Sequence, residues 1–166
     1  MASSSDRFRD PCNTEYDFIG LILVRCPGCD KAARIVPAPE ASGCGDRILF
    51  RPRRLICRGC GLSRQWSGHV AVLPTSTTHP ATDPYFGRPL WLQTPTRHGW
   101  LWAYNLEHLD FIRRLVQAPL RERAPWHATK LKTSLVTYLP TWIKRAKNRD
   151  EILRAVNRIH HSVLSA

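Results

Sequence analysis

Apolar residues in the first half of the chain form short runs that end at pairs of cysteines. One run, at 18–25, contains several β-branched residues and leads directly into the first pair. Another stretch, at 47–56, alternates basic with apolar residues and leads into the second pair. Short runs of these two kinds are typical of β-strands. With similar stretches at 33–36 and 63–73, the pattern predicts a β-rich unit.

The hydrophobic pattern changes after residues 74–84, a segment rich in Thr and Pro that we interpret as a linker. Apolar and aromatic residues at 89–94 and 100–104 flank a polar turn, which predicts a β-hairpin. Beyond the hairpin, apolar residues recur at helical spacing. They predict three helices, at about 106–118 with Asn105 as N-cap, at about 129–139, and from a cap at Asn148 with Glu151 to Val163.

These elements predict an α+β fold. A chain of 166 residues is long enough for one ordinary domain or two small ones, and the linker favours two. We expect a flexible tail at 1–17, a β-rich unit at 18–73, the linker at 74–84, and a β-hairpin with about three helices at 85–166.

The composition is that of a folded, basic protein. Hydrophobic residues make up 43% of the chain, which excludes the low-hydrophobicity composition of disordered chains. The 25 basic and 13 acidic residues give a formal net charge of +12, and such a surplus attracts polyanions. Only five basic residues are lysines, and arginine binds phosphate in a bidentate manner. Nucleic acid is therefore the first expected partner, although a codon bias toward arginine predicts the same composition.

No stretch of the chain has the length of a signal-peptide core or of a membrane span, which needs about 20 apolar residues. We therefore expect a cytoplasmic protein with no membrane partner. In a reducing compartment, paired cysteines hold metal or do redox chemistry more often than they form disulfides.

Four cysteines have the spacing of a tetrahedral metal site. They form two Cys-x2-Cys pairs with 27 residues between them, Cys26 with Cys29 and Cys57 with Cys60. Two residues between thiolates let one tight turn place both sulfurs about 2.3 Å from the same zinc ion. We therefore predict that these four residues bind structural Zn²⁺.

Such a site predicts a structural metal and not a catalytic one. Four sulfur ligands close the coordination shell of zinc and leave no position for water or substrate. The sequence also contains no P-loop and no Gly-x-Ser-x-Gly nucleophile motif. We therefore expect a protein that is not an enzyme.

Glycines accompany both cysteine pairs. Gly28 and Gly59 lie between the two cysteines of a pair, and Gly61 follows the second pair. Since tight turns often need a positive φ, which glycine adopts at low cost, we expect all three to supply it.

At these residues the chain resembles the zinc-ribbon family, which includes the ribbons of general transcription factor IIB and of polymerase subunits. The resemblance covers about residues 18–72, and family ribbons usually have a shorter spacer between the pairs. It implies two hairpins that hold one zinc ion, and a role associated with transcription. From about Tyr85 onward, the chain is loosely similar to the tails of uncharacterised bacterial zinc-ribbon proteins, through the runs DPYFGRPLWLQT, GWLWAYNLEHLDF and AKNRDE.

The same cysteines are open to two redox interpretations. A rubredoxin-like iron site also uses two Cys-x2-Cys turns, and the thiolates alone do not separate iron from zinc. A dithiol redox protein uses one such pair at a helix N-terminus, whereas both pairs here lie between predicted strands. Cys12 and Cys44 have no such partner, and we interpret them as spare thiols. The seven histidines show no ligand spacing.

Arginines crowd the second cysteine pair and the predicted strand before it. Such a cluster can bind phosphates while a tryptophan stacks on an unpaired base. The predicted nucleic-acid contact consists of Arg47, Arg51, Arg53, Arg54, Arg58, Arg64 and Trp66. The alternative for the arginines is a solvated strand, and the alternative for the tryptophan is a place in the core.

The sequence thus predicts a zinc-binding, non-catalytic module that binds nucleic acid or acts in transcription. The alternative is a protein–protein adaptor that docks on an acidic surface, since a basic face attracts acidic proteins as well as phosphates. The redox protein is the weaker alternative.

Overall fold

The described part of the chain contains eight strands and four α-helices. The structure is a computed structural model, and it describes residues 7–39, 48–68, 70–122 and 134–164. The strands are β1 (Arg7–Arg9), β2 (Ile22–Arg25), β3 (Ala32–Pro37), β4 (Arg53–Ile56), β5 (Ser63–Trp66), β6 (Leu92–Thr96), β7 (Gly99–Ala103) and β8 (Leu120–Glu122). The helices are α1 (Leu106–Gln117), α2 (Leu135–Tyr138), α3 (Thr141–Lys144) and α4 (Arg149–Leu164).

Three sheets organise these strands. β2 to β5 form a four-stranded antiparallel sheet in chain order. β6 and β7 form an antiparallel hairpin, and β1 pairs in parallel with β8. Together with the helices, this arrangement confirms the predicted α+β class and the predicted hairpin.

Alternation along the strands gives the four-stranded sheet an inner and an outer face, because successive side chains point to opposite sides. The inner face is apolar and buried, and its central row consists of Ile22, Ile35 and Leu55. The neighbouring row of the outer face is more exposed and consists of Leu23, Arg34 and Ile56.

The two long helices cover the hairpin and complete the core. In α1 the predicted N-cap is confirmed, because the Asn105 side chain accepts a hydrogen bond from the His108 N–H. The buried stripe of α1 includes Leu109 and Ile112, and α4 packs against both α1 and β6. No helix among the described residues is both long enough and apolar enough to cross a membrane.

One continuous core joins the two predicted domains. The segment 89–91 runs along the free edge of β2, where Leu90 forms an antiparallel bridge with Val24. The Trp91 N–H donates to the Leu23 carbonyl at 2.9 Å. Buried side chains from the sheet, the hairpin and the helices belong to a single cluster. The predicted boundary therefore does not separate two cores, since the hairpin half completes the edge of the four-stranded sheet.

The predicted linker at 74–84 also packs onto the rest of the molecule. Ala81 and Asp83 are buried, and the Asp83 carboxylate accepts three backbone N–H bonds from the turn at 85–88. The Thr77 carbonyl accepts from the Trp100 N–H at 2.7 Å. Residues rich in Pro and Thr look like a linker in sequence, but here their backbone groups find partners in the hairpin.

The predicted tail is likewise packed where the structure describes it. The Phe8 ring contacts the Phe111 ring edge to face, at 5.5 Å between centroids. The Leu135 N–H donates to the Asn13 carbonyl at 2.8 Å. Residues 1–6 lie outside the described part of the chain.

One of the three predicted helices differs from the structure, and the last one is confirmed except for its cap. The helix expected at 129–139 is described only from residue 134, and α2 contains just four residues there. The last helix runs to Leu164, but the Asn148 side-chain amide donates to the Trp142 carbonyl. The Glu151 carboxylate pairs with the Arg97 guanidinium at 2.6 Å. Long-range partners therefore occupy the side chains that were expected to form a capping box.

Candidate metal centre and basic sheet face

The two cysteine pairs lie in turns with the same backbone hydrogen bonds. In each turn the N–H of the first cysteine donates to the carbonyl five residues later, with an N–O distance of 2.8 Å. The carbonyl of that cysteine accepts from the N–H four residues later, at 3.0 Å. The first cysteine is Cys26 in the turn between β2 and β3, and Cys57 in the turn between β4 and β5. The sheet thus presents two equivalent turns side by side.

The four predicted ligands converge on one point. All four sulfur atoms of Cys26, Cys29, Cys57 and Cys60 lie within 4.8 Å of one another. The Sγ atoms are 3.6 Å apart between Cys26 and Cys60, and also between Cys29 and Cys57. A tetrahedral zinc site with bonds of about 2.3 Å has sulfur atoms about 3.8 Å apart. The cluster therefore has the size and the donor set of a tetrathiolate metal centre.

The glycines of the turns have two different roles. The residue after each pair is left-handed, with φ of 59° at Asp30 and 74° at Gly61. The prediction of a positive φ is therefore confirmed for Gly61, whereas it is wrong for Gly28 and Gly59. A Cβ at Gly28 would lie 3.4 Å from the Cys60 Sγ, and one at Gly59 would lie 3.6 Å from the Cys29 Sγ. These two glycines bring the backbone close to the sulfurs.

Asp30 occupies the position equivalent to Gly61, which the sequence pattern did not reveal. Aspartate tolerates the left-handed region better than most residues, because its short side chain bonds locally. Its carboxylate lies 3.3 Å from the Arg25 guanidinium. The equivalence becomes visible only when the two turns are aligned on their cysteines.

The sulfurs of the cluster do not ionise together. Burial opposes the Cys26 thiolate, but hydrogen bonds from the Gly28 and Cys29 N–H groups and from neighbouring thiols outweigh it and lower the pKa of Cys26 to about 7. For Cys29, the Lys31 N–H favours the thiolate, but burial and the surrounding sulfurs outweigh it and raise the pKa to about 12. A bound cation compensates this crowding of negative charge, because metal ligands bind as thiolates.

Cys12 does not belong to the cluster. Cys12 lies between β1 and the short helix Glu15–Asp17, outside the group of four. Cys44 lies outside the described residues, as do His69 and His127.

The predicted nucleic-acid contact is divided by the structure. Arg53 is only 2% exposed, and its guanidinium donates to the Ile19 carbonyl at 2.7 Å and lies over the Tyr85 ring. Trp66 packs edge-on against the same ring, with centroids 4.8 Å apart. Both side chains lie on the inner face of the sheet. Arg53 is buried there, which corrects the prediction for that residue, whereas Trp66 is partly buried.

The remaining predicted arginines occupy three places. Arg54 lies on the outer face, and Arg58 is exposed in the second cysteine turn. Arg51 is exposed just before β4, and Arg64 is exposed on the edge strand β5, in register with inner-face residues. Arg47 lies outside the described residues.

The outer face also contains basic and aromatic residues that the sequence reasoning missed. Arg25 and Arg34 are exposed and share this face with Arg54, because Arg34 lies between Leu23 and Ile56 across the sheet. The Arg25 guanidinium lies 5.3 Å from the centroid of the Trp91 ring. The alternation of Arg34 with apolar neighbours in the sequence could have predicted its place on the outer face. The position of Trp91 beside β2 was not, because it depends on a contact between distant segments.

A groove of about 750 Å³ runs across this face. It is bounded by the sheet, the second cysteine turn and the start of α1, and its lining includes Leu23, Arg34, Ile56, Arg58, Trp91 and Leu106. Strands β2 to β5 contain no acidic residue. Two carboxylates, those of Asp17 and Glu107, also line the groove. The groove is therefore apolar at its centre, basic where the sheet forms it and acidic at its other boundary.

No protein-family model matches this chain, and no curated protein or solved structure is significantly similar to it. The assignment of the site therefore rests on its own geometry, which is that of a four-cysteine metal centre beside a basic sheet face.

Proposed function

We propose that this protein is a non-catalytic zinc-ribbon module that binds nucleic acid through the outer face of its four-stranded sheet. One observation carries the proposal, namely the concentration of arginines beside a half-buried tryptophan on that face. The residues are Arg25, Arg34, Arg54, Arg58 and Trp91. The net charge of +12 supports it, because a basic surface raises the local concentration of polyanions.

Zinc is the metal that we propose for the four cysteines. A closed shell of four thiolates suits zinc in a structural site, and it holds the two turns together without offering a position to a substrate. A reducing location such as the cytoplasm keeps these thiols available for metal. Iron binds the same donor set. Elemental analysis of the purified protein separates the two, with one zinc per chain expected and one iron per chain as the contrary result.

The arginines and the tryptophan have distinct roles in the proposed contact. Guanidinium groups bind phosphate oxygens and so position the strand without reading its sequence. Trp91 lines the groove, and its indole N–H has no hydrogen-bond partner among the described residues. An unpaired base in the groove can stack on an aromatic ring, which contributes about 1–3 kcal/mol. We therefore propose a preference for single strands over duplexes.

Paired arginine variants test this contact. Arg34→Ala with Arg58→Ala removes two charges from the groove, and Arg145→Ala with Arg154→Ala removes two exposed charges elsewhere. Fluorescence anisotropy with short labelled single strands and duplexes of DNA and RNA measures affinity over a salt series. Each lost phosphate contact should reduce the slope of log K against log salt by about 0.7 for a single strand and about 0.9 for a duplex.

The expected result is weaker binding and a flatter salt dependence for the groove variant alone, with unchanged metal content. Trp91→Leu should weaken single-strand binding more than duplex binding, because only unpaired bases stack. The proposal fails if the wild-type protein binds none of these probes at low salt. It also fails if the two double variants weaken binding equally, since the effect is then one of net charge.

An acidic protein partner is the second candidate for the same face. The observation that favours it is the apolar centre of the groove, where Ile56 is 37% and Leu106 is 41% exposed. A protein surface covers such side chains, whereas phosphate contacts do not need them. If nucleic acid does not bind, both Ile56→Ser and the double variant Arg34→Ala with Arg58→Ala should abolish binding of an acidic protein partner.

A further inference from the structure

A second cavity, of about 640 Å³, lies outside the metal centre and the sheet face. It opens between the described part of the predicted tail, the segment 73–77, the hairpin, and the helices α2 and α3. It shares no described lining residue with the groove on the outer face. Its volume is within the range of about 300–1,000 Å³ that is typical of small-molecule sites.

The lining is aromatic and apolar, and its charge contrasts with the rest of the chain. Tyr16, Trp100, Trp102 and Tyr138 contribute rings, and the neighbouring positions include Leu135, Leu139 and Ile143. The chain has 25 basic residues, yet the described lining contains no Lys and no Arg. Its acidic residue is Glu15.

Glu15 is held in place by a buried neighbour. The Tyr104 hydroxyl donates to the Glu15 carboxylate, and Tyr104 is itself fully buried. Burial raises the pKa of Glu15, while the bond from Tyr104 opposes that rise. A half-buried carboxylate is costly unless it has a positive partner. The part of the chain that the structure describes shows no such partner for Glu15 among the ion pairs.

His108 contributes a buried ring to the wall of the same cavity. It is 1% exposed, and its Nδ1 accepts from the Tyr104 N–H at 3.3 Å, which places the proton of the neutral ring on Nε2. That Nε2 has no hydrogen-bond partner among the described residues. The ring is stacked on Phe18 and lies edge-on to Trp102, with centroids 4.8 and 5.8 Å away. His108 and Trp102 thus form one packed aromatic wall of the cavity.

We propose that this cavity binds a small organic cation, with aromatic rings around its apolar part and the Glu15 carboxylate facing its positive charge. Rings of Trp and Tyr attract a cation through their electron-rich faces, most strongly where water is excluded. The absence of Lys and Arg from the described lining removes the repulsion that a cation meets elsewhere on this protein. The site does not depend on nucleic-acid binding.

Three matched probes test the charge preference on the full-length, metal-loaded protein. Benzyltrimethylammonium, benzyl alcohol and benzoate share one ring and differ in charge. Calorimetry measures their affinities, and the indole N–H signals of Trp100 and Trp102 in NMR spectra locate the binding. We expect the cation to bind roughly tenfold more tightly than the alcohol, because a cation–π contact beside a carboxylate contributes a difference of that size. Salt screens the repulsion between the cationic probe and the net positive charge of the protein. Added salt should therefore weaken the binding of this probe much less than it weakens the binding of phosphates.

A pair of carboxylate variants separates the local effect from net charge. Glu15→Gln should remove the preference for the cation and keep the affinity for benzyl alcohol. Asp150→Asn makes the same change of charge at an exposed position of α4 and should leave both affinities unchanged. Trp100→Leu should weaken both probes.

Several results would overturn the proposal. They are equal binding of the cation and the alcohol, a preference for benzoate, no heat and no shift of the two indole signals with any probe, or a cation preference that survives Glu15→Gln. The comparison of probes on the wild-type protein decides the matter even if a variant does not fold. A loss of nucleic-acid binding has no bearing on it, because the two sites share no described lining residue.

Discussion

The four-stranded sheet and the hairpin–helix half of this protein are stabilised by different means. The strands β2 to β5 have only four to six residues each, and their turns close around four thiols. In the other half, α1 and α4 bury apolar stripes against each other and against the hairpin. Short strands with one buried face provide little hydrophobic stabilisation, whereas a helix pair on a sheet provides much more. Metal should therefore matter most for the sheet, and packing for the helices.

The two halves are nevertheless connected at the edge of β2. The Asn105 side chain donates to the carbonyls of Phe18 and Leu21 and also caps α1. β2 is therefore bonded to the hairpin half through its backbone, while β4 and β5 reach that half through side-chain packing, as Arg53 and Trp66 do against Tyr85. The dependence on metal should increase from β2 toward β5.

Removal of one sulfur ligand should have the largest effect. Cys57→Ser should lose the metal, since structural zinc contributes an apparent binding free energy of about 10–16 kcal/mol to folding. Hydrogen exchange should then become fast in β4 and β5 and remain slow in α1 and α4. Elemental analysis and hydrogen-exchange mass spectrometry measure both. Cys12→Ser, outside the cluster, is the control and should retain metal. Equal loss of protection in all elements would contradict the comparison.

Truncation of a buried side chain in the helix half should have the next largest effect on stability. Leu109 is 1% exposed, so Leu109→Ala should lower the free energy of unfolding by about 2–5 kcal/mol. Urea titration followed by circular dichroism measures this change. Leu106→Ala, on the exposed side of the same helix, should cost much less. Metal content should be the same in both variants. A loss of metal on Leu109→Ala would show that the sheet depends on the helices more than we infer.

Acid should destabilise the helix half through His108. Burial lowers the pKa of this residue from 6.5 to about 3 in the folded state. The unfolded chain therefore binds a proton at a higher pH than the folded one, so stability rises with pH between these two values. Its contribution is complete above about pH 6.5 and falls by about 1.4 kcal/mol at about pH 5.5.

The variant His108→Gln isolates this contribution, because glutamine does not titrate. Urea titrations at about pH 7.5 and pH 5.5 should show a smaller loss for the variant than for the wild type. The comparison also cancels any effect of acid on the metal centre, which both proteins share. An equal loss in both would mean that His108 does not control the acid sensitivity of this half.

Local patterns in the sequence were sufficient for several features. The cluster of four cysteines was predictable because two residues between cysteines let both sulfurs face one point within a single turn. Helix α1 was predictable because its cap and its apolar stripe are both encoded within a short stretch. The hairpin of β6 and β7 was predictable for the same reason. In each case the residues that form the structure are neighbours in the chain.

Features that depend on distant neighbours could not be predicted in this way. The tail and the linker were expected to be loose, but their described residues bond to the hairpin and to α2. Arg53 and Arg54 are adjacent in sequence and chemically identical, yet Arg53 is buried against the Tyr85 ring and Arg54 lies on the outer face. Their separation follows from the register of β4 in the sheet, because a shift by one residue would exchange them.

The sequence by itself therefore determined the four-cysteine donor set of the candidate metal centre, the α+β class and the positions of the hairpin and α1. Only the tertiary structure decided which arginines face outward together, that Trp91 joins them, and that Glu15 and His108 line one cavity. The physical reason is the range of the interactions. Spacing and periodicity act within a few residues, whereas a binding surface is formed by side chains that only the packing of separate segments brings together.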